Sequence, residues 1–260
     1  MLQTAVEAAL EAGKLLKQHL GRVRDIREKS GQEKNLVTEI DRKSEELIIG
    51  IIRRHHPGHA ILAEESGRGG SESEFKWIID PLDGTTNYAH GFPVFCVSIA
   101  LEQSGTVIAG VIYDPNFDEI FTAEKGKGAF LNGRRMRVSQ VDSLGKSLLV
   151  TGFPYTIAEN PSHAIEHFIR FLRSAQAVRR MGSAAIDLAY VAAGRYEGFW
   201  EVALNPWDVA AGVLLVEEAG GRVTDFSGGE FSIYNREVLA TNGLVHQQMA
   251  DSLAADSTSR

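Results

Sequence analysis

The chain opens with apolar residues at helical spacing. Leu2, Val6, Ala9, Leu10, Gly13 and Leu16 fall on one face, which predicts an amphipathic helix over Leu2 to Leu20 that stops at Gly21. Asn35 to His55 contains a second helix, with Leu47, Ile48, Ile51 and Ile52 as its apolar face and Pro57-Gly58 beyond its end. Ala60 to Ala63 is a short apolar run, Gly67 to Ser73 a polar loop, and Trp77 to Ile79 a buried strand that Pro81 keeps from extending. From Val94 the runs become β-rich. Phe95 to Leu101 and Val107 to Tyr113 flank Ser104-Gly105, then Glu119 to Ala123 and Ala129 to Leu131 lead into an Asn132-Gly133 hairpin signal. Leu148 to Thr151 reads as a further strand. Pro161 to Ser174, Ser183 to Ala193 and Trp207 to Ala219 read as helices, and strands at Arg222 to Thr224 and Val238 to Thr241 close the chain. Helices and strands mix without a parallel βαβ rhythm or an internal repeat, which predicts a layered α/β or α+β fold.

Composition narrows the function classes. A length of 260 residues allows one domain or two, and 43% apolar with 23% charged residues is ordinary globular composition. We expect a single unit over 1–260, with an α+β half of roughly 1–140 and an α/β half of roughly 141–260. The net charge of −7 argues against a general nucleic-acid binder, yet permits a small phosphorylated substrate if a bound cation supplies positive charge. A single cysteine, Cys96, excludes an internal disulfide or a multi-cysteine metal site. Charged residues at Glu7, Glu11, Lys14 and Lys17 interrupt any signal-peptide core, and no apolar run approaches membrane-spanning length, so a cytoplasmic protein is expected.

The chemistry concentrates in carboxylates. In Trp77 to Asn87, WIIDPLDGTTN, Asp80 and Asp83 stand three apart at a strand end, before Gly84-Thr85-Thr86 opens a helix. Such carboxylates can hold a divalent cation while exposed backbone N–H groups receive a phosphate; equally, they can be turn and cap residues. Glu64 and Glu65 follow the Ala60 to Ala63 run, and Asp208 sits in the first turn of the Trp207 helix, where a helix-dipole role alone would explain it. Hard oxygen donors of this kind suit Mg²⁺ or Mn²⁺ rather than Zn²⁺. No P-loop and no GxSxG elbow occur, the eight histidines lack metal-ligand spacing, and Cys96 reads as inert core. Asp187 and Asp225 read as structural.

WIIDPLDGTTNY and NPWDVAAGVLLVEEAGG resemble the paired signature motifs of the inositol monophosphatase family, and the similarity extends from EKNLVTEID to the closing strands. The resemblance implies an αβαβα five-layer sandwich and a Mg²⁺-dependent phosphatase using two or three ions, with Mn²⁺ as a substitute and Li⁺ as an inhibitor. It implies metal ligation by Glu64, Asp80, Asp83, Asp208 and the Leu82 carbonyl, and orientation of the attacking water by Glu64 and a Thr85–Asp41 pair. Substrate contacts are implied for Asp83, Gly84, Thr85, Arg179, Gly182, Ser183, Ala184, Glu201 and Asp208, with Glu201 facing ring hydroxyls. Either Lys29 or Lys34 would serve a mobile loop. The expected substrate is inositol 1-phosphate. Fructose 1,6-bisphosphate, histidinol phosphate, a nucleotide 3′-phosphate or an added regulatory binding role are the alternatives, and a homodimer is implied.

Overall fold

The computed structural model describes residues 1–22, 39–70 and 72–254, with backbone alone for 26–29 and 32–38. Two helices, α1 (Leu2–His19) and α2 (Glu39–His55), follow the apolar stripes seen in the sequence and pack on each other. Before α2, β1 (Ile26–Lys29) and β2 (Gln32–Thr38) form an antiparallel ribbon. The side chains of Lys29 and Lys34 lie outside the described residues.

The first sheet has eight strands: β3 (Ala60–Ala63), β4 (Gly67–Gly69), β5 (Phe75–Asp83), β6 (Cys96–Gln103), β7 (Thr106–Asp114), β8 (Glu119–Glu124), β9 (Gly128–Leu131) and β10 (Arg134–Arg135). Their order is β10-β9-β8-β7-β6-β5-β3-β4, antiparallel except where β3 runs parallel to β5. Its central strands are buried on both faces, so they read as unbroken apolar runs. On β6, Val97, Ile99 and Leu101 join the core beneath α1 and α2, while Cys96 and Ala100 face the opposite core. This is the two-residue alternation of a strand. At the β9–β10 hairpin, Asn132 and Gly133 both take positive φ, 48° and 74°, as a two-residue hairpin turn requires.

Two helices form the middle layer: α5 (Ala184–Ala192) and α6 (Pro206–Glu218), while the short α3 (Thr85–Ala89) follows directly on the end of β5. Small residues let α6 approach that sheet closely. A Cβ at Gly110 of β7 would lie 3.0 Å from the Ala211 backbone. Beyond this layer is the second sheet, ordered β12 (Ala177–Arg179), β11 (Leu148–Thr151), β13 (Gly198–Val202), β15 (Glu237–Thr241), β14 (Arg222–Thr224). The outermost layer is α4 (Ala164–Ser174) and α7 (His246–Ala254). The layers therefore run α, β, α, β, α, as expected. Among the described residues no helix is long and apolar enough to cross a membrane.

Two sequence expectations change. β5 does not stop at Asp80 but continues through Pro81 to Asp83. Pairing with β6 breaks between Asp80 and Asp83 and resumes at Asp83 opposite Cys96, so the proline, which has no N–H to give, sits in the irregularity. The polar loop at Gly67 to Ser73 begins with three residues that form β4 against β3.

Candidate active site

The site is assembled from the ends of four elements. The irregular end of β5 buries Asp80, whose Oδ1 accepts the Leu82 N–H at 3.0 Å. Gly84 then takes φ +98°, and a Cβ there would stand 2.8 Å from the Val94 carbonyl, so only glycine fits the turn. Thr85 follows, buried, its hydroxyl donating to Asp41 Oδ1 at 3.1 Å and to the Leu82 carbonyl at 3.0 Å. The expected Thr85–Asp41 pair is thus formed across 44 residues.

Glu64 follows β3, and its N–H bonds the Ile79 carbonyl at 3.2 Å. Its loop is fixed by a residue the sequence reading did not single out. The buried Glu45 carboxylate accepts the N–H groups of Glu65 and Ser66 at 2.8 and 2.9 Å. Glu45 lies four residues after Asp41 on α2, so one helix turn supports both Thr85 and the Glu64 loop.

From the middle layer, Ser183 caps α5 and its hydroxyl donates to Asp83 Oδ2 at 2.7 Å. The Ala185 N–H meets the same oxygen at 2.7 Å. Asp208 occupies the third position of α6 and forms a capping box with Asn205, whose N–H meets Asp208 Oδ2 at 2.7 Å. The cap role of Asp208 is therefore real, and its carboxylate also lines the pocket. Asn87 ties the first motif to the Gly182 turn by donating to the carbonyls of Val94 and Met181, both at 2.8 Å.

These elements surround a cavity of about 720 Å³. Glu64, Asp80, Leu82, Asp83, Gly84, Thr85, Gly182, Ser183, Ala184, Glu201 and Asp208 all line it. Asp41 stands behind Thr85. Arg179 does not reach the cavity: it lies exposed on β12 with its guanidinium on the Val178 carbonyl, and its neighbour Arg180 lines the wall instead. Cys96 is fully buried, with Sγ 3.9 Å from Asp83 Oδ2 and 3.7 Å from Ser183 Oγ. Burial and the nearby Asp83 charge hold its thiol protonated, in keeping with an inert core residue. Asp187 is buried, and among the described residues neither of its oxygens has a hydrogen-bond partner, a feature no motif signalled.

The electrostatics are those of crowded anions. Burial, then the charges of Glu64, Asp83 and Asp208, push Asp80 well above the ordinary carboxylate range. Burial and then Glu64 do the same to Asp208. Burial raises Asp83 to about 6 against the opposing bonds from Ser183 and Ala185. Burial raises Glu201 to about 8, with Asp208 and Asp83 adding and Arg180 opposing. Among the described residues no three acidic, histidine or cysteine side chains are closed into a ready-made cation cage. The character of the carboxylates nonetheless fits a hard divalent cation: every donor is oxygen, and like charges held together in a buried site are relieved by positive charge.

The structure is thus a five-layer α/β sandwich with a carboxylate-walled pocket where β5, α5 and α6 converge. The family model described as "Inositol monophosphatase family" matches residues 1–259, and the chain belongs to that family of enzymes. It is 48% identical over 255 residues to the "Inositol-1-monophosphatase" of Synechocystis, covering 98% of this chain and 88% of that one. The structure of the inositol monophosphatase from Anabaena superposes with a TM-score of 0.87 at 47% identity, over 98% and 95% of the two chains. A protein named "Nus factor SuhB" from Pseudomonas aeruginosa is 45% identical over 249 residues, 93% of this chain and 91% of that one.

Proposed function

We propose that the enzyme hydrolyses phosphomonoesters of polyols, inositol 1-phosphate foremost, with Mg²⁺ as its cation. The observation that carries this reading is that one cavity is lined both by the Glu64, Asp80, Asp83 and Asp208 carboxylates and by a further acidic residue from the second sheet, Glu201. Glu64, Asp80, Asp83, Asp208 and the Leu82 carbonyl would hold the Mg²⁺, for which Mn²⁺ can substitute. When bound it supplies charge neutralisation for the phosphate and a lowered pKa for a coordinated water.

The chain's own groups do the rest. Thr85 commits its hydroxyl proton to Asp41 and the Leu82 carbonyl, which leaves its oxygen lone pair to accept a hydrogen bond from the attacking water and orient it. Glu64 is the second orienting acceptor. The backbone N–H groups of the Gly84–Thr85 turn receive the phosphate. Ser183 and the Ala185 N–H fix Asp83 so that its carboxylate does not swing as charge develops. Gly182 and Ala184 form the wall against the alcohol portion, and Glu201 accepts hydrogen bonds from its hydroxyls. Arg180, which lines the cavity, is the better placed of the two neighbouring arginines for substrate. No covalent enzyme intermediate is needed.

The two halves act as one catalytic unit in the cytoplasm. A homodimer is supported by an exposed apolar row on α4, where Ile165, Ile169 and Leu172 are 41%, 41% and 55% accessible. Inhibition by Li⁺ accompanies this assignment. Phosphate release from a panel of polyol, sugar, nucleotide and aryl phosphates tests it; a preference for any class without hydroxyls refutes the polyol assignment. A second reading, an additional partner-binding role, is favoured by the relatives named Nus factor. Pull-down with wild-type and Asp83→Asn protein separates that role from catalysis.

A further inference from the structure

Gly152 is the residue immediately after β11, whose Thr151 stands opposite Trp200 of β13 in the parallel pairing. Glu201 is the residue immediately after Trp200. The two strand ends therefore carry Gly152 and Glu201 side by side into the cavity wall. Thr151 locks this junction, its hydroxyl reaching the Trp200 carbonyl at 2.5 Å and the Gly152 carbonyl at 3.2 Å.

Nothing in the backbone asks for glycine at this position, because Gly152 is not among the residues with positive φ. The space does. A Cβ at Gly152 would lie 2.3 Å from both Glu201 carboxylate oxygens and 2.5 Å from their carbon. Ordinary contacts to a Cβ begin near 3.4 Å. The carboxylate thus occupies the volume that any side chain at 152 would fill, and there it accepts the Gly152 N–H. Glu201 is only 8% exposed, so this notch decides where its oxygens sit.

We propose that Gly152 is a positioning residue for substrate selection: its missing side chain creates the notch that seats the Glu201 carboxylate at the cavity wall, where it meets the hydroxyls of a polyol. The inference deepens the polyol-phosphate reading and rests on it. The obstruction created by an alanine would be met by the flexible end of Glu201, not by backbone. The Gly152→Ala protein should therefore fold, with its carboxylate turned away from the 152 N–H and into the cavity.

The experiment combines a crystal structure of Gly152→Ala with kcat/KM for inositol 1-phosphate and for a small aryl phosphate in four proteins: wild type, Gly152→Ala, Glu201→Asp and the double variant. The expected structure shows the Glu201 carboxylate displaced from the notch. The polyol-to-aryl ratio should fall about tenfold or more in each single variant, the loss expected for one charge-assisted hydrogen bond. The double variant should lose much less than the product of the two, because an aspartate is shorter by one methylene and clears the new methyl group. An unmoved carboxylate in Gly152→Ala, or multiplicative losses in the double variant, would overturn the proposal. Equal wild-type kcat/KM for the two substrates would sink the polyol reading instead, and the positioning role would then stand or fall on the displacement alone.

Discussion

Two glycine-to-alanine changes should move stability in opposite directions. Gly212 lies inside α6, and an added Cβ would stand 2.5 Å from Leu188 Cβ and 2.7 Å from its Cδ1 on α5. The nearest obstruction is the rigid base of a buried side chain, so α5 and α6 must separate by roughly 1 Å to restore van der Waals contact. Overpacking of this kind costs about 1–3 kcal/mol. Replacing a mid-helix glycine returns about 1 kcal/mol of propensity, leaving a net loss of up to about 2 kcal/mol. For a chain of this size that is a fall in Tm of up to about 8 °C. Gly50, inside α2, is exposed, with nothing within 4 Å of an added Cβ. There the propensity gain acts alone, and Tm should rise by about 1–3 °C. Differential scanning calorimetry on both variants provides the comparison. The Gly212→Ala change should also lower kcat, since α5 carries the Ser183 and Ala185 groups that hold Asp83 while α6 carries Asp208. A Gly212→Ala protein as stabilised as Gly50→Ala would refute the close-approach argument for the middle layer.

Three further outcomes follow from the site and its surroundings. Asp41→Asn removes the charge from the acceptor that orients Thr85, and steady-state kinetics should show kcat reduced by about ten- to a hundredfold with little change in KM. Ser183→Ala removes a bond to Asp83 and a helix cap whose 3.4 Å contact to Ile186 is long; urea titration should show a loss of about 1–3 kcal/mol, most of it from the bond to Asp83. His246 is buried between Thr224 and Thr241, and burial holds its pKa down at about 4. Below pH 6.5 the unfolded chain therefore takes up a proton that the folded one refuses, and stability falls as pH drops toward 4, by up to about 3 kcal/mol. A His246→Gln variant should show a shallower loss over that window in pH-dependent urea titrations; identical slopes would rule the histidine out.

What the sequence disclosed depended on how local each feature was. Asp80, Asp83, Thr85 and Asp208 are legible because a strand end and two helix starts fix them within a few neighbours. The irregular passage of β5 through Pro81 was not, because a proline ordinarily ends a strand and only the resumed pairing at Cys96 shows that it continues. β13, with just five residues, and β12, with three, lack the length for a periodic signal and exist through their sheet neighbours. α7 offers only a weak stripe, Met249, Ala250 and Leu253, which becomes apolar contact once the second sheet is present. Glu45, Gly152 and Arg180 share a different reason. Their roles depend on approaches between distant segments: Glu45 with the 65–66 backbone, Gly152 with Glu201, and Arg180 with the cavity. Arg179 and Arg180 differ by one position on the chain, and the end of β12 decides which faces the pocket.

The central claim is that carboxylates crowded around one cavity serve a divalent cation in phosphate ester hydrolysis. The most direct measurement is phosphate release from inositol 1-phosphate by metal-stripped protein, before and after Mg²⁺ is added, for wild type and Asp83→Asn. The account predicts no turnover in excess chelator, full recovery of the wild type with Mg²⁺, and a recovered Asp83→Asn rate lower by orders of magnitude, because the lost charge belongs to the transition state. Turnover that persists in excess chelator, or an Asp83→Asn enzyme that recovers like the wild type, would contradict it.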